Sequence, residues 1–383
     1  MKANRISTPL TRQFLELVRA TMWQISVDCH LFRDYTVDWE AIGKLSLQQT
    51  VGNLVIKGAM SLPPELLPPK EWLRYGYSFI ERNRRTHLLL DSCVAEATKL
   101  LREEGLKAVL LKGQAYARAY PQSDLRQCGD IDLYVGESNY FPAYKAACKF
   151  GWESSEKFIP DSKHYGCTLR GVRIELHRLA GRFPTRSVND RFQKWSRSQL
   201  SASERDVNIG GETISLPTPI FDVIFVFMHL YLHFINGGIG LRHVCDWTLL
   251  LHAYSGDIDR YELKARLKDF RLLKAWCLFT PIAVEHLGLP ESECPFYRAE
   301  HSKKSNKILS FILKEGNFGR YATESSRRPN GYLKGKLYSF RRHSKKMLSC
   351  LSIDPETVLR HYSSFLFKGT KIMLTDILKK TDR

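Results

Sequence analysis

The sequence lacks the patterns that place many chains in a class at once. Its nine cysteines include no Cys-x-x-Cys pair, which excludes the usual zinc-finger spacing. Scattered cysteines in an odd number favour reduced thiols, and therefore a cytoplasmic location. No apolar segment follows Met1-Lys2, so no secretory signal is expected. RNP motifs are also missing, and no sequence-reading nucleic-acid module is predicted.

Long hydrophobic runs are scarce as well. The most apolar run covers residues 219–235, and it contains Asp222, His229 and His233. It is also shorter than the roughly 20 apolar residues that a membrane-spanning helix requires. We therefore expect a buried helix here and no transmembrane segment.

Acidic residues are outnumbered by basic ones, 40 against 58, which gives a formal net charge of +18. The excess is concentrated in residues 301–383, which contain 19 Lys or Arg and 6 Asp or Glu. Such a segment attracts polyanions or an anionic membrane surface, or it forms the solvated basic face of a helical region. The sequence leaves both interpretations open.

Aromatic residues interleave with this basic segment, an arrangement that can bind single-stranded nucleic acid. Their spacing is more typical of a helical core with a solvated face, so a nucleic-acid partner is possible but not favoured. The aromatic residues in question are Tyr332, Tyr338, Phe340, Tyr362, Phe365 and Phe367.

The 383 residues are enough for two or three domains, and the apolar spacing divides them into three regions. Residues 1–104 are predicted to be helical, 105–217 to form an α/β core with short strands, and 218–383 to be helical and basic. Because the predicted strands cluster in the middle, the fold class is α+β, with a small mixed sheet flanked by helices on both sides. The predicted strands are 108–111, 131–135, 165–169, 172–177 and 212–216.

The most informative stretch runs from Leu110 to Gly113 and continues, after sixteen residues, at Asp130-Ile131-Asp132-Leu133. Strand alternation places Asp130 and Asp132 on one face, where their charges repel. A hard divalent cation such as Mg²⁺ relieves that repulsion. Glu175 has the same apolar-acidic-apolar context on a later strand. It could complete the metal site and act as general base for an acceptor hydroxyl.

The residues around these carboxylates suit phosphate. Gly113 lets a backbone N–H approach a phosphate oxygen closely. Lys112 and Arg126 supply positive charge, and an arginine can pair with phosphate through two hydrogen bonds. His177 shares the face of Glu175 and could touch the substrate.

These residues resemble the nucleotidyltransferase superfamily typified by DNA polymerase beta. That superfamily has an apolar strand, a glycine turn, an acidic-apolar-acidic-apolar strand and a later acidic strand. More closely, the chain resembles a bacterial family of uncharacterised nucleotidyltransferases, often associated with cell-surface polysaccharide gene clusters. The closer resemblance covers about residues 75–255 and is carried by Leu111-Lys112-Gly113, Tyr120-Pro121, Arg126, Gly129-Asp130-Ile131-Asp132-Leu133, Glu175-Leu176-His177, His229 and Gly240-Leu241-Arg242-x-x-x-Asp246.

The resemblance implies that Asp130, Asp132 and Glu175 are catalytic ligands of Mg²⁺ or Mn²⁺. It also implies that Gly113 contacts a triphosphate and that Arg242 reaches the nucleotide. The expected reaction moves a nucleoside monophosphate from a nucleoside triphosphate to a hydroxyl acceptor, which could be a small molecule, a glycan or a protein. The Lys-Gly turn departs from the superfamily's Gly-Ser turn, and the spacer before Asp130 is longer than usual.

Each of these expectations has a non-catalytic or purely structural alternative. The same fold could be a non-catalytic module that binds a nucleotide or a polyanion through its basic tail. Arg242 and Asp246 stand at i, i+4 and could form an ordinary ion pair on a helix surface. His229 and His233 lack the adjacent glutamate of a zinc protease, so a buried hydrogen-bonding or packing role is expected.

Overall fold

The computed structural model describes residues 8–202 and 205–316, together with isolated positions between 334 and 359. Most of the basic segment beyond residue 316 therefore lies outside the described residues. The same holds for four of the predicted C-terminal aromatics, Tyr332, Tyr362, Phe365 and Phe367.

Five helices precede the sheet. The first begins where the side chain of Thr8 accepts a hydrogen bond from the backbone N–H of Thr11. The fifth has 34 residues and is followed by Gly105 with φ 71°, which confirms the predicted long helix and its left-handed end. The bounds are α1 Pro9–Trp23, α2 His30–Arg33, α3 Trp39–Gln48, α4 Gly52–Met60 and α5 Lys70–Glu103.

Six strands form one mixed sheet in the order β3-β4-β2-β1-β6-β5. The central pairs β2–β4 and β1–β6 are parallel, and the other neighbours are antiparallel. This confirms the α+β class that the clustering of strands predicts. The strands are β1 Val109–Leu110, β2 Asp130–Tyr134, β3 His164–Leu169, β4 Val172–His177, β5 Arg205–Ile209 and β6 Glu212–Leu216.

Three helices connect these strands. A short helix follows β1, a longer one joins β2 to β3, and an amphipathic helix joins β4 to β5. The second of them begins at Gly136, earlier than the periodicity indicates, and tolerates Pro142 in its interior. Their bounds are α6 Gln114–Ala117, α7 Gly136–Lys149 and α8 Arg186–Ser201.

Both predicted hairpins are present. The β3–β4 hairpin turns at Arg170 and Gly171, where both residues have positive φ. The β5–β6 hairpin turns at Gly210 and Gly211. A β-carbon at Gly210 would lie 2.8 Å from the backbone oxygen of Asp91 in α5, so only glycine lets this turn pack on the long helix.

Helices account for most of the described chain after the sheet. The ninth helix is the predicted buried one, and it is the one helix among the described residues that is long and apolar enough to cross a membrane. Two thirds of it (67%) is buried within the protein. The bounds are α9 Pro219–Asn236, α10 Leu241–Ala253, α11 Arg260–Asp269, α12 Leu273–Pro281 and α13 Ser302–Glu315.

One apolar core connects all three predicted regions. The side chains of Ile131 and Leu133 in β2 and of Ile174 and Leu176 in β4 are buried, and they belong to the same cluster as residues of α1 and α13. Every described strand lies within residues 109–216. The boundaries at 104/105 and 217/218 stay predictions, because burial is continuous across them.

A buried ion pair ties the segment before β2 to α10. The Arg126 guanidinium donates from Nε and Nη2 to the two carboxylate oxygens of Asp246, both at 2.8 Å, and Tyr120 donates its hydroxyl to the same carboxylate. The two charged side chains are 5% and 3% exposed. Asp246 is therefore not part of a helix-surface pair, and its ionic partner is Arg126.

The Arg126–Asp246 pair should contribute strongly to stability. Replacing Asp246 by asparagine keeps the shape but leaves a buried guanidinium without a counter-charge. We expect Asp246→Asn to lower the free energy of unfolding by about 3–5 kcal/mol, measured by urea denaturation. The control is Asp257→Asn at an exposed position, which should cost less than about 0.5 kcal/mol. A loss below about 1 kcal/mol for Asp246→Asn would contradict the role of this pair.

Candidate functional site

The parallel pairing of β2 with β4 brings the predicted carboxylates together. Asp132 lies directly opposite Glu175 in this pairing, and paired residues on neighbouring strands project to the same face. Asp130, two residues earlier, shares that face. One carboxylate oxygen of each of the three residues lies within 4.8 Å of the others. The three predicted ligands therefore converge on one place.

Exposure changes across this carboxylate cluster. Asp130 is exposed, the side chain of Glu175 is 15% exposed, and Asp132 is 1% exposed. The cluster is thus anchored in the protein at Asp132 and open to solvent at Asp130. Solvent therefore reaches the cluster from the Asp130 side.

Two neighbours compensate the charge of the buried aspartate. Lys112 places Nζ 2.9 Å from Oδ1 of Asp132, and His177 places Nε2 2.8 Å from the same oxygen. Burial alone would raise the pKa of Asp132, but the Lys112 ammonium and the His177 hydrogen bond together hold it below its usual value. The pKa of Lys112 is raised in turn: burial opposes this, and the charges of Asp132 and Asp130 outweigh it. Both groups are charged at neutral pH.

Glu175 is also held in its ionised form. Burial would raise its pKa, but the hydrogen bond from His177 and nearby positive charge lower it to about 2. Its other oxygen lies 3.3 Å from Nε of Arg173, which pairs in turn with Glu156 at 2.8 Å. Asp132 and Glu175 therefore remain anionic side by side because cations and imidazoles surround them.

The Lys112-Gly113 turn has a backbone that few residues adopt. Lys112 has φ 34°, and Gly113 has φ 52° with ψ −117°, outside the left-handed helical region that other residues visit. A β-carbon at position 113 would lie 3.2 Å from the backbone oxygen of Asp130. The glycine is thus needed both for the turn and for its close approach to β2.

Two residues beside the carboxylates were not identified from the sequence. His164 in β3 lies opposite His177, and its Nδ1 is 3.3 Å from Oε2 of Glu175. Lys163 precedes it; burial and the charge of Lys112 lower its pKa. The predicted hairpin could have identified His164, because a turn at 170–171 sets the register that pairs residue 164 with residue 177.

The donor atoms fit a divalent cation. Asp130, Asp132 and Glu175 supply hard oxygen ligands, which suit Mg²⁺ or Mn²⁺. A second group, His164, Glu175 and His177, has one nitrogen or oxygen donor from each residue within the same 4.8 Å of one another. Both groups share Glu175.

A histidine cluster stands beside the site. The ring of His229 lies 4.3 Å from that of His233 and 6.1 Å from that of His243. Burial and the positive charge of Lys112 lower the pKa of His229, and they lower that of His233 to about 4. Neither His229 nor His233 belongs to a potential metal-ligand group among the described residues. They face the site as neutral imidazoles.

The two arginines predicted to bind the nucleotide lie elsewhere. The guanidinium of Arg126 is buried, with Nε and Nη2 on Asp246 and Nη1 on the sulfur of Cys128, so all three nitrogens already have partners within the protein. Arg242 is half-buried at the start of α10, where its Nε lies 3.3 Å from Oγ1 of Thr50. The structure joins Lys112 and Gly113 to the carboxylate cluster, and it shows no such contact for either arginine.

Comparison with known proteins places the chain in a family. A profile of the family described as uncharacterised nucleotidyltransferase matches residues 35–288. Among solved structures, an antigenic nucleotidyltransferase-like protein from Paracoccidioides brasiliensis is 12% identical, with 53% of this chain and 93% of that chain covered and a TM-score of 0.34. That likeness is too low to support any argument. No curated protein matches. Because the family profile spans well over half of its length, the chain belongs to the uncharacterised nucleotidyltransferase family.

Proposed function

We propose that this protein transfers a nucleoside monophosphate from a nucleoside triphosphate to a hydroxyl acceptor, with Mg²⁺ or Mn²⁺ held by Asp130, Asp132 and Glu175. The observation that supports this is the convergence of three carboxyl groups on one place that is open to solvent at Asp130. When bound there, the cation would bridge the phosphates and offset their negative charge. Membership of the nucleotidyltransferase family supports the reaction class.

The three carboxylates have different roles in this proposal. Asp132 is fixed by Lys112 and His177, so it holds its position whether or not a ligand is present. Asp130 is exposed and is the first of the three that an incoming nucleotide meets. Glu175 has a pKa of about 2, which makes it a weak general base but a good anionic ligand. We therefore assign Glu175 to cation binding rather than to proton transfer.

Lys112 and Gly113 are proposed to hold the phosphates. The Lys112 side chain is 17% exposed and donates to Asp132, and an ammonium has three donors, so it can contact a phosphate at the same time. Gly113 forms the turn directly before α6, close to the backbone of Asp130. Arg126 is proposed instead to position the segment that leads into β2, through its pair with Asp246.

The exposed aspartate gives the cleanest test of the metal site. Asp130→Asn should leave the free energy of unfolding unchanged, since the side chain is exposed. Turnover should fall more than about 100-fold, beyond the 10–100-fold typical of residues that only support metal ligands. The measurement is the transfer of label from each of the four radiolabelled triphosphates into cell extract, with and without Mg²⁺.

The matched control is Asp257→Asn, the same change at an exposed position outside the cluster, which should keep wild-type turnover. Unchanged transfer by Asp130→Asn would refute the assignment of the metal site. Wild-type protein that binds ATP equally with and without Mg²⁺, releases no pyrophosphate and loses affinity with salt would instead identify a non-catalytic binding module.

Lys112 should determine nucleotide affinity. Removing its charge deletes a hydrogen bond between charged groups, which contributes about 1.5–3 kcal/mol, so Lys112→Met should raise the Kd for ATP in Mg²⁺ roughly 10- to 100-fold. Isothermal titration calorimetry measures this directly. Lys112→Arg should recover part of the affinity. Lys99→Met, the same change at an exposed position on α5, is the control and should bind like wild type. Equal Kd values for Lys112→Met and wild type would exclude the phosphate-binding role.

A further inference from the structure

A cavity separate from the carboxylate cluster lies between the loop after β4, helix α9 and the α11–α12 corner. Its volume is about 510 Å³, within the range of sites that hold small molecules. None of the three carboxylate ligands lines it. Its interior is apolar, with walls that include Phe183, Val188, Leu267, Phe270, Leu272 and Leu278.

The rim of this cavity carries charge of one sign. Its lining residues include no aspartate or glutamate. Arg298 lies 3.3 Å from Glu300 and is therefore partly compensated. The basic residues of the lining are Lys268, Arg271, Lys274, Arg298, His301 and Lys304.

Arg271 occupies a position where glycine is the usual residue. It follows the C-terminus of α11 with φ 58°, in the left-handed region that costs other residues roughly 1 kcal/mol. Its side chain is exposed and lines the cavity. The chain thus accepts a backbone cost at the point where it places a guanidinium on the rim.

We propose that this cavity binds an anionic amphiphile, with an aliphatic chain against the apolar walls and a phosphate head at Lys268, Arg271 and Lys304. Apolar walls below a cationic rim complement both halves of such a molecule. The chain's own residues 317–383 are a poor occupant, because they contain 15 Lys or Arg against 5 Asp or Glu and would be repelled by the rim. The proposal does not depend on the transfer reaction.

The first test compares three probes by calorimetry on the full-length protein. Decyl phosphate is used below its micelle concentration, with decyl maltoside as the same chain on a neutral head and inorganic phosphate as the head without a chain. Decyl phosphate should bind at least tenfold more tightly than either, and its affinity should fall as salt rises. Equal binding of decyl maltoside, or of inorganic phosphate, would overturn the proposal.

The second test uses the strained position. Arg271→Gly removes the charge and suits the left-handed backbone, so its free energy of unfolding should be unchanged or higher. Its affinity for decyl phosphate should nevertheless fall about tenfold or more, while Arg271→Lys stays near wild type. Lys194→Gln removes one charge from an exposed site on α8 outside the lining and should bind normally.

A third variant tests the walls. Cys277 lines the cavity and is half-buried, so Cys277→Trp fills the space that the aliphatic chain requires. It should abolish the binding of decyl phosphate while ATP binding is retained. Wild-type affinity in a folded Cys277→Trp or Arg271→Gly protein would show that the amphiphile binds elsewhere, and the proposal would fail.

Discussion

The parallel pairing of β2 with β4 is the constraint on which the candidate site depends. It sets Asp132 opposite Glu175, two like charges on adjacent strands that would destabilise the sheet if left alone. The protein keeps both ionised by surrounding them with Lys112, His177 and Arg173. The resulting cluster can attract a cation from solvent on the side where Asp130 is exposed. Stability disfavours two adjacent negative charges, whereas the proposed cation site requires them. The neighbouring cations allow both side chains to stay ionised in the folded protein.

Much of this could be predicted from the sequence because the decisive signals are local. Alternation over Asp130–Leu133 fixes which side chains share a face, and Gly171 after Arg170 fixes the hairpin that carries Glu175. The glycine at 113 was predictable for the same reason, since a strand followed by a helix needs a turn there. Helix bounds were less accurate: α7 begins at Gly136, where the chain leaves β2, ahead of the first strong apolar repeat.

The contacts that sequence reasoning missed are those between distant segments. Arg126 resembles a phosphate ligand because it is a cation just before the acidic strand, yet its partner is Asp246, 120 residues later. Nothing local distinguishes an arginine that faces a ligand from one that is buried on a carboxylate. The placement of His164 beside the site could have been predicted, because the hairpin register alone pairs it with His177. Tertiary packing decides the first case and local geometry the second.

The two cations near the acidic strand differ in a way that follows from their chemistry. Arg126 is 5% exposed, planar and bidentate, so exchanging its partner would mean burying an unpaired charge. Lys112 is 17% exposed and carries an ammonium with three donors on a flexible stem, so it can make the proposed contact with a phosphate while it still donates to Asp132. Arg126 therefore links the segment before β2 to α10, and the more flexible Lys112 lies beside the carboxylate cluster. Of the two, only Lys112 is placed to offset the negative charge of a phosphate in the proposed reaction.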